Sequence, residues 1–145
     1  MLSIDLSGRT ALITGATGEL GRVMVRTLAE CGSDIAIHYR NNSPMAGKLL
    51  SEVTAMGRKA VVIEADITDF NSVIAMKEYI ERNLASPDII VNNAVIQYTW
   101  TTVLKQPPED YESQFRSCVM HNVYMAKAFA PSMISRQYGR IIGIN

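Results

Sequence analysis

Five short apolar runs, each separated from the next by a turn and a stretch of helical periodicity, constrain this chain's fold more than any other feature. The first run, TALIT (Thr10 to Thr14), is partly β-branched and ends at a glycine. From Leu20 the apolar positions Leu20, Val23, Met24, Leu28 and Cys31 recur at helical spacing, and Gly32 closes that helix. IAIHY (Ile35 to Tyr39) is the second strand, and a helix follows Pro44 to about Met56, stopped by Gly57. AVVIEAD (Ala60 to Asp66) is the third strand. Asp69 then caps a helix with Phe70, Val73, Ile74, Ile80 and Leu84 on one face, which Pro87 terminates. DIIVNNA (Asp88 to Ala94) is the fourth strand. Pro107 and Pro108 open a long helix whose stripe is Phe115, Val119, Asn122, Ala126, Phe129 and Met133, and RIIGIN (Arg140 to Asn145) is the fifth strand.

Strands that are apolar along their whole length must be covered on both sides, and helices between them supply the cover. The expected class is therefore α/β, a doubly wound parallel sheet. Such sheets bind ligands outside the carboxyl ends of their strands, so the residues just after each strand are the ones that matter.

After the first strand comes TGATGELG, with Gly15, Gly18 and Gly21 three apart. Glycine permits positive φ and lets backbone N–H groups approach a pyrophosphate, while the following helix aims its partial positive end at the same point. With a strand before and an amphipathic helix after, the turn is expected to bind a dinucleotide rather than to serve only as a tight connection. No Gly-Lys-Ser/Thr follows, which disfavours a P-loop nucleotidase. The second strand ends in Tyr39 and Arg40 where an acid would accept hydrogen bonds from a ribose 2′-hydroxyl. A guanidinium suits a 2′-phosphate instead, so NADP(H) is preferred, with NAD(H) possible.

Four motifs in order, TGATGELG, ADITD (Ala65 to Asp69), DIIVNNA and GRIIGIN (Gly139 to Asn145), resemble those of the short-chain dehydrogenase/reductase family over essentially the whole chain. The resemblance is strongest to reductases of the 3-oxoacyl-carrier-protein and sugar or polyol dehydrogenase kind. It implies a Rossmann-like domain over residues 1–145, truncated after the fifth strand. It implies that Gly15, Thr17, Gly18, Leu20 and Gly21 cradle the pyrophosphate, that Asp66 and the Ile67 backbone take adenine, and that Asn93 and Ala94 lie beside the ribose. Asn92 would tie neighbouring strands together. A structural hydrogen-bonding role for the asparagine pair, and a helix-capping role for Asp66, compete with these assignments.

Three departures from the family pattern bear on function. Glu19 stands where the turn's middle glycine is usual, and is expected to point to solvent. Val95 replaces a customary glycine after the fourth strand. Relatives place an asparagine on the long helix to hold a water for proton relay; the ungapped register puts Cys118 there, with Asn122 one turn further on as the weak alternative. Cys118 and Cys31 read as buried free thiols, compatible with a reducing cytoplasm. His38 and His121 have no partners at ligand spacing and are read as non-catalytic, and no metal site is expected.

The resemblance also implies a serine or threonine just beyond the fifth strand, then a Tyr-x-x-x-Lys for proton transfer; no Tyr-x-x-x-Lys occurs in these 145 residues. The expectation is the cofactor-binding part of an oxidoreductase that interconverts a carbonyl and a hydroxyl group in a small molecule. It would be inactive as this chain alone and completed by a C-terminal segment or another subunit. The alternative is a catalytically silent dinucleotide-binding or scaffolding module. An uncovered fifth strand would be an apolar edge, so the chain by itself is expected to aggregate or to occur with a partner, and relatives suggest a homo-oligomer built on the long helix. With 14 basic and 14 acidic residues, nothing suggests nucleic acid or a membrane surface as partner. No basic segment with a long apolar run opens the chain, and no stretch nears the roughly 20 apolar residues that span a bilayer.

Overall fold

The computed structural model describes residues 3–144 and converts the alternation into β1 (Thr10–Ile13), α1 (Glu19–Glu30), β2 (Asp34–Tyr39), α2 (Ser43–Ala55), β3 (Ala60–Glu64), α3 (Phe70–Asn83), β4 (Ile89–Asn92), α4 (Pro108–Phe115), α5 (His121–Ser135) and β5 (Arg140–Gly143). The five strands form one parallel sheet in the order β3-β2-β1-β4-β5. Asn145, the last residue of the fifth apolar run, lies outside the described residues.

Alternation along the strands feeds two cores. Ala11, Ile13, Ile35, Ile37, Ile89 and Val91 face α1 and α2, where Val25, Ala29, Leu49 and Val53 meet them. Leu12, Ala36 and Ile90 face α3 and α5, packing on Val73, Met76, Ile80, Met125 and Phe129. Each fully buried Leu, Ile or Phe contributes about 1.5–3 kcal/mol of transfer free energy, and this two-sided burial selects a doubly wound sheet over a one-faced one. β1 and β4 are adjacent although far apart in the chain, and their connections leave to opposite sides. The crevice above their carboxyl ends is the topological switch point.

Several elements depart from expectation. β3 and β4 are shorter than the apolar runs because Asp66 and Asn93 leave the ladder and put their side chains into turns. On α1 the buried face is Gly21, Val25 and Ala29, whereas Leu20 and Val23 are about half exposed. The helix turns its small residues to the sheet because only they permit so close an approach. The stripe expected on the long helix also shifts. A π-turn at Arg116–Met120 separates α4 from α5, and its i→i+5 bonding admits an extra residue that rotates the two faces apart. Ser117, His121, Met125, Phe129 and Met133 are buried, while Phe115 and Val119 face outward. Cys31 and Cys118 are free thiols but half-buried rather than enclosed. No described helix is long and apolar enough to cross a membrane.

β5 hydrogen-bonds to β4 yet is exposed along its length, with Ile141, Ile142 and Ile144 uncovered. Its start is anchored: Arg136 donates to the Asp88 carboxylate (2.6 Å) and the Pro87 carbonyl, and the Arg140 N–H donates to the Asp88 carbonyl.

Candidate functional site

The three glycines of the first turn have different physical reasons to be glycine. Gly15 sits at φ 62°, and a Cβ there would come within 2.9 Å of the Ala94 Cα. At Gly21 a Cβ would lie 2.3 Å from the Gly15 carbonyl oxygen. Both are required by the fold itself. Gly18, the N-cap of α1, has φ −73° and ψ 168°, open to any residue, and an added Cβ would meet only the Gly15 oxygen, at 3.4 Å. Neither backbone conformation nor internal packing explains its glycine. It is exposed, with half-buried Thr17 before it and Glu19 and Leu20 exposed after it.

No side chain caps α1, in contrast to α2 and α3, where Asn42 and Asp69 accept from first-turn amides. The N–H groups of its first turn therefore face the crevice with the positive end of the helix dipole behind them. Glu19 points away as expected, with its side chain almost fully exposed and paired to Arg22. The arrangement suits an anion held by backbone donors.

The turn is held from two sides. Gly15 N–H donates to His38 Nδ1 (3.0 Å), His38 Nε2–H donates to the Ala65 carbonyl (3.0 Å), and Ala16 N–H donates to the His38 carbonyl (2.9 Å). His38 is thus a buried brace linking the turn to the end of β3, and these bonds require a neutral ring protonated on Nε2. Burial, outweighing the Ala65 carbonyl and the Asp66 charge, holds its pKa below the usual imidazole range. On the other side, Thr14 Oγ1 accepts from Asn93 and Ala94 N–H, and Asn93 Nδ2 donates to the carbonyls of Thr14 (3.1 Å) and Gly15 (3.2 Å). Asn93 is the residue that ties β4 to β1. Asn92, expected to tie neighbouring strands together, sends its Nδ2 to Asn122 Oδ1 on α5 (2.8 Å).

Asn122 Nδ2 donates to the Cys118 carbonyl (2.6 Å), and its Oδ1 lies beside Gly143 of β5. Both ends of this side chain are thus engaged at the carboxyl ends of β4 and β5. Cys118, which the ungapped register aligns with the relay asparagine, has its thiol near Gln114 Oε1 (3.7 Å). His121 is buried next door, with Nδ1 against the Ser117 carbonyl (3.2 Å). Burial and the nearby His38 lower its pKa to about 4, with the Ser117 and Ala94 carbonyls acting the other way. Among the described buried side-chain atoms, Asn92 Oδ1 and His121 Nε2 lack a partner. Val95, in the customary glycine's place, is about half exposed.

The loop after β3 stands between two open depressions of about 310 Å³ each. One is lined by Arg40, Asn41, Glu64, Ala65, Asp66 and Ser72. The other lies against α4, with Thr68 and Ile96 among its walls. Asp66 Oδ1 accepts from the N–H and hydroxyl of Thr68, closing a small turn of its own, so the capping of α3 falls to Asp69. Asp66 Oδ2 lies 3.3 Å from Arg40 Nη2. Desolvation raises the Asp66 pKa, but the Thr68 hydrogen bonds and the Arg40 charge outweigh it, and the net direction is down. The carboxylate is half-exposed and ionised, while the Ile67 side chain is buried beneath the loop. Sequence reasoning missed the His38 brace and the Arg40–Asp66 pair. The only available signal was a histidine inside an otherwise apolar strand.

Comparison with known proteins agrees on family and fold. A family model described as short chain dehydrogenase matches residues 9–145. Nodulation protein G of Azospirillum brasilense is 33% identical over 140 residues, covering 97% of this chain and 56% of that protein. Gluconate 5-dehydrogenase of Gluconobacter oxydans is 32% identical, with 97% and 54% covered. Among solved structures, a gluconate 5-dehydrogenase from Burkholderia cenocepacia in complex with NADP and tartrate superposes with a TM-score of 0.84 at 32% identity, covering 96% of this chain and 54% of that one. An NAD+-bound xylitol dehydrogenase gives 0.86 at 30% identity, with 93% and 52% covered. The chain spans about half the length of the curated relatives it matches.

Proposed function

This chain belongs to the short chain dehydrogenase family, and from that premise we propose that it is the cofactor-binding part of a cytoplasmic, NADP(H)-preferring oxidoreductase that interconverts a carbonyl and a hydroxyl group in a small molecule. The observation that carries the reading is Gly18: an exposed glycine at a helix start that no side chain caps, where neither backbone conformation nor packing requires glycine. A backbone that must lie against a ligand's pyrophosphate supplies the reason.

Gly15, Thr17, Gly18, Leu20 and Gly21 form the cradle, Arg40 takes the 2′-phosphate, Asp66 and the Ile67 backbone take adenine, and Asn93 and Ala94 lie beside the ribose. The cofactor supplies the hydride chemistry. This chain's residues bind and orient it, with His38 and Asn93 acting behind the cradle as braces. Asn122 positions the carboxyl ends of β4 and β5 through Asn92. Proton transfer belongs to residues of a complementary C-terminal segment or subunit, and the exposed isoleucines of β5 support such a cover. The outward row Tyr111, Phe115, Val119 and Val123 supports a homo-oligomer. Among relatives one is complexed with NADP and another with NAD+, so the preference rests on Arg40, which follows Tyr39 at the position where an acid would serve.

Two measurements test the reading. Titration followed by nicotinamide fluorescence is expected to give saturable binding of NADPH and weaker binding of NADH. Gly18→Ala should weaken both roughly tenfold, equivalent to about 1.4 kcal/mol, while thermal melting stays within about 1 °C of wild type because its Cβ meets nothing that must move. No saturable binding of either dinucleotide would overturn the assignment. Arg40→Ala should raise the Kd for NADPH roughly tenfold, the loss of one charge-assisted contact, and leave NADH nearly unaffected. Its exposed pair with Asp66 is worth about 1 kcal/mol at most, so it does not prevent Arg40 from turning to a phosphate.

A further inference from the structure

The depression at the ends of β2 and β3 contains one cation and two carboxylates: Arg40, Asp66 and Glu64. The carboxylates are not equivalent. Asp66 has its charge compensated, one oxygen taking both Thr68 donors and the other facing Arg40. Glu64 is exposed, and its contact among the described residues is with a neutral group, the Tyr39 hydroxyl directly across the β2–β3 ladder (3.4 Å). No ion pair among the described residues involves it. Its negative charge stands uncompensated on the wall of the pocket that holds Arg40.

Resting on the reading that this pocket receives the adenosine end of a dinucleotide, we infer that Glu64 is a specificity-determining residue that restrains the preference for the 2′-phosphorylated cofactor and keeps the site open to the unphosphorylated one. A 2′-phosphate brings a charge of about −1.5 to −2 into a pocket with a single guanidinium already shared with Asp66. Repulsion from Glu64 opposes the attraction to Arg40, and at this exposure it acts through a high effective dielectric and is screened by salt. A ribose with a free 2′-hydroxyl meets no such opposition, and Glu64 is an acceptor for it. Tyr39 occupies the position at the end of β2 where an acid would serve; its strand partner on β3 supplies the carboxylate from the neighbouring strand.

The test is Glu64→Gln, titrated with NADPH and with NADH at low and high salt beside wild type and Glu64→Asp. The Gln variant is expected to bind NADPH roughly three- to tenfold more tightly at low ionic strength, with the gain shrinking toward unity near 1 M salt, where the Debye length is about 3 Å. NADH affinity should stay equal or fall, and Glu64→Asp, which keeps the charge, should hold the wild-type ratio. A Gln variant whose NADPH-to-NADH ratio matches wild type at low salt, while wild type binds both, overturns the role of Glu64 and leaves the pocket assignment standing. Wild type that binds neither dinucleotide sinks both. Glu64→Ser, shorter and uncharged, must move the ratio the same way, and the opposite movement also rejects the inference.

Discussion

Gly21→Ala should unfold the switch point of the sheet. The added methyl group would sit 2.3 Å from the Gly15 carbonyl oxygen, 2.8 Å from the Ala16 Cα and 2.9 Å from the Ala16 carbonyl carbon. All three are backbone atoms, so no rotamer change relieves the overlap. Relief requires α1 to lift from β1, which withdraws Val25 and Ala29 from the core they fill. Overpacking typically costs about 1–3 kcal/mol. An overlap with backbone atoms on every side puts this site at the top of that range, about 3 kcal/mol, which for a domain of this size lowers the melting temperature by roughly 6–12 °C. Dinucleotide binding should be lost with it, because the same lift displaces the amides of the turn. Calorimetry with a parallel NADPH titration checks both. A variant that melts within a degree or two of wild type would show that α1 does not pack this closely. Gly18→Ala, three residues away, should leave the fold intact by contrast, since its Cβ would meet only the Gly15 oxygen at 3.4 Å, and on the proposed function its cost should fall on dinucleotide binding alone.

The second large effect is expected at His38. Replacing it with leucine keeps the volume and removes an acceptor for Gly15 N–H and a donor for the Ala65 carbonyl. Each buried group left without a partner costs about 1–3 kcal/mol, so urea unfolding at pH 7.5 should show a loss of about 2–6 kcal/mol. The pH dependence follows from the same bonds. The folded-state pKa of His38 lies below its unfolded value because of burial, with the Ala65 carbonyl and Asp66 acting the other way; His121, lowered to about 4 by burial first and the nearby His38 second, behaves alike. A lowered imidazole pKa means that the unfolded chain binds more protons as pH falls. The contribution is complete above about pH 6.5 and drains away as pH drops toward the folded values. For His121 alone the loss reaches about 3 kcal/mol by pH 4. Protonated His38 also presents an N–H to the Gly15 N–H it should accept. The gap in stability between wild type and His38→Leu should therefore narrow between pH 7.5 and pH 5. A gap that is constant or widens would remove His38 from the role of neutral brace.

These two sites differ in how readable they were in the chain. The glycine at 21 was visible in the spacing of the first turn, although its reason, contact with a carbonyl six residues earlier, was not. The histidine at 38 read as an isolated residue without partners, because its partners are 23 and 27 positions away and belong to backbone rather than to any motif. The same limit explains the asparagines. The pair at 92 and 93 was recognised as needing hydrogen bonds, but which one reaches β1 and which one reaches α5 depends on how the chain leaves β4. The stripe on the long helix failed for another reason. A helical wheel assumes constant pitch, and the π-turn at 116–120 breaks it.

The order and type of the elements could be read directly from residues, since strand and helix periodicity, glycine stops and the Asp69 cap are local properties decided within a few positions. Nothing local sets which strand ends become neighbours. Placing β1 beside β4 brings Gly15 against Ala94, β2 beside β3 joins His38 to Ala65 and sets Glu64 across from Tyr39, and the loops that follow these two strands bring Arg40 to Asp66. Those contacts arise from burying both faces of one sheet at once, a condition on the whole chain that no short window of it expresses.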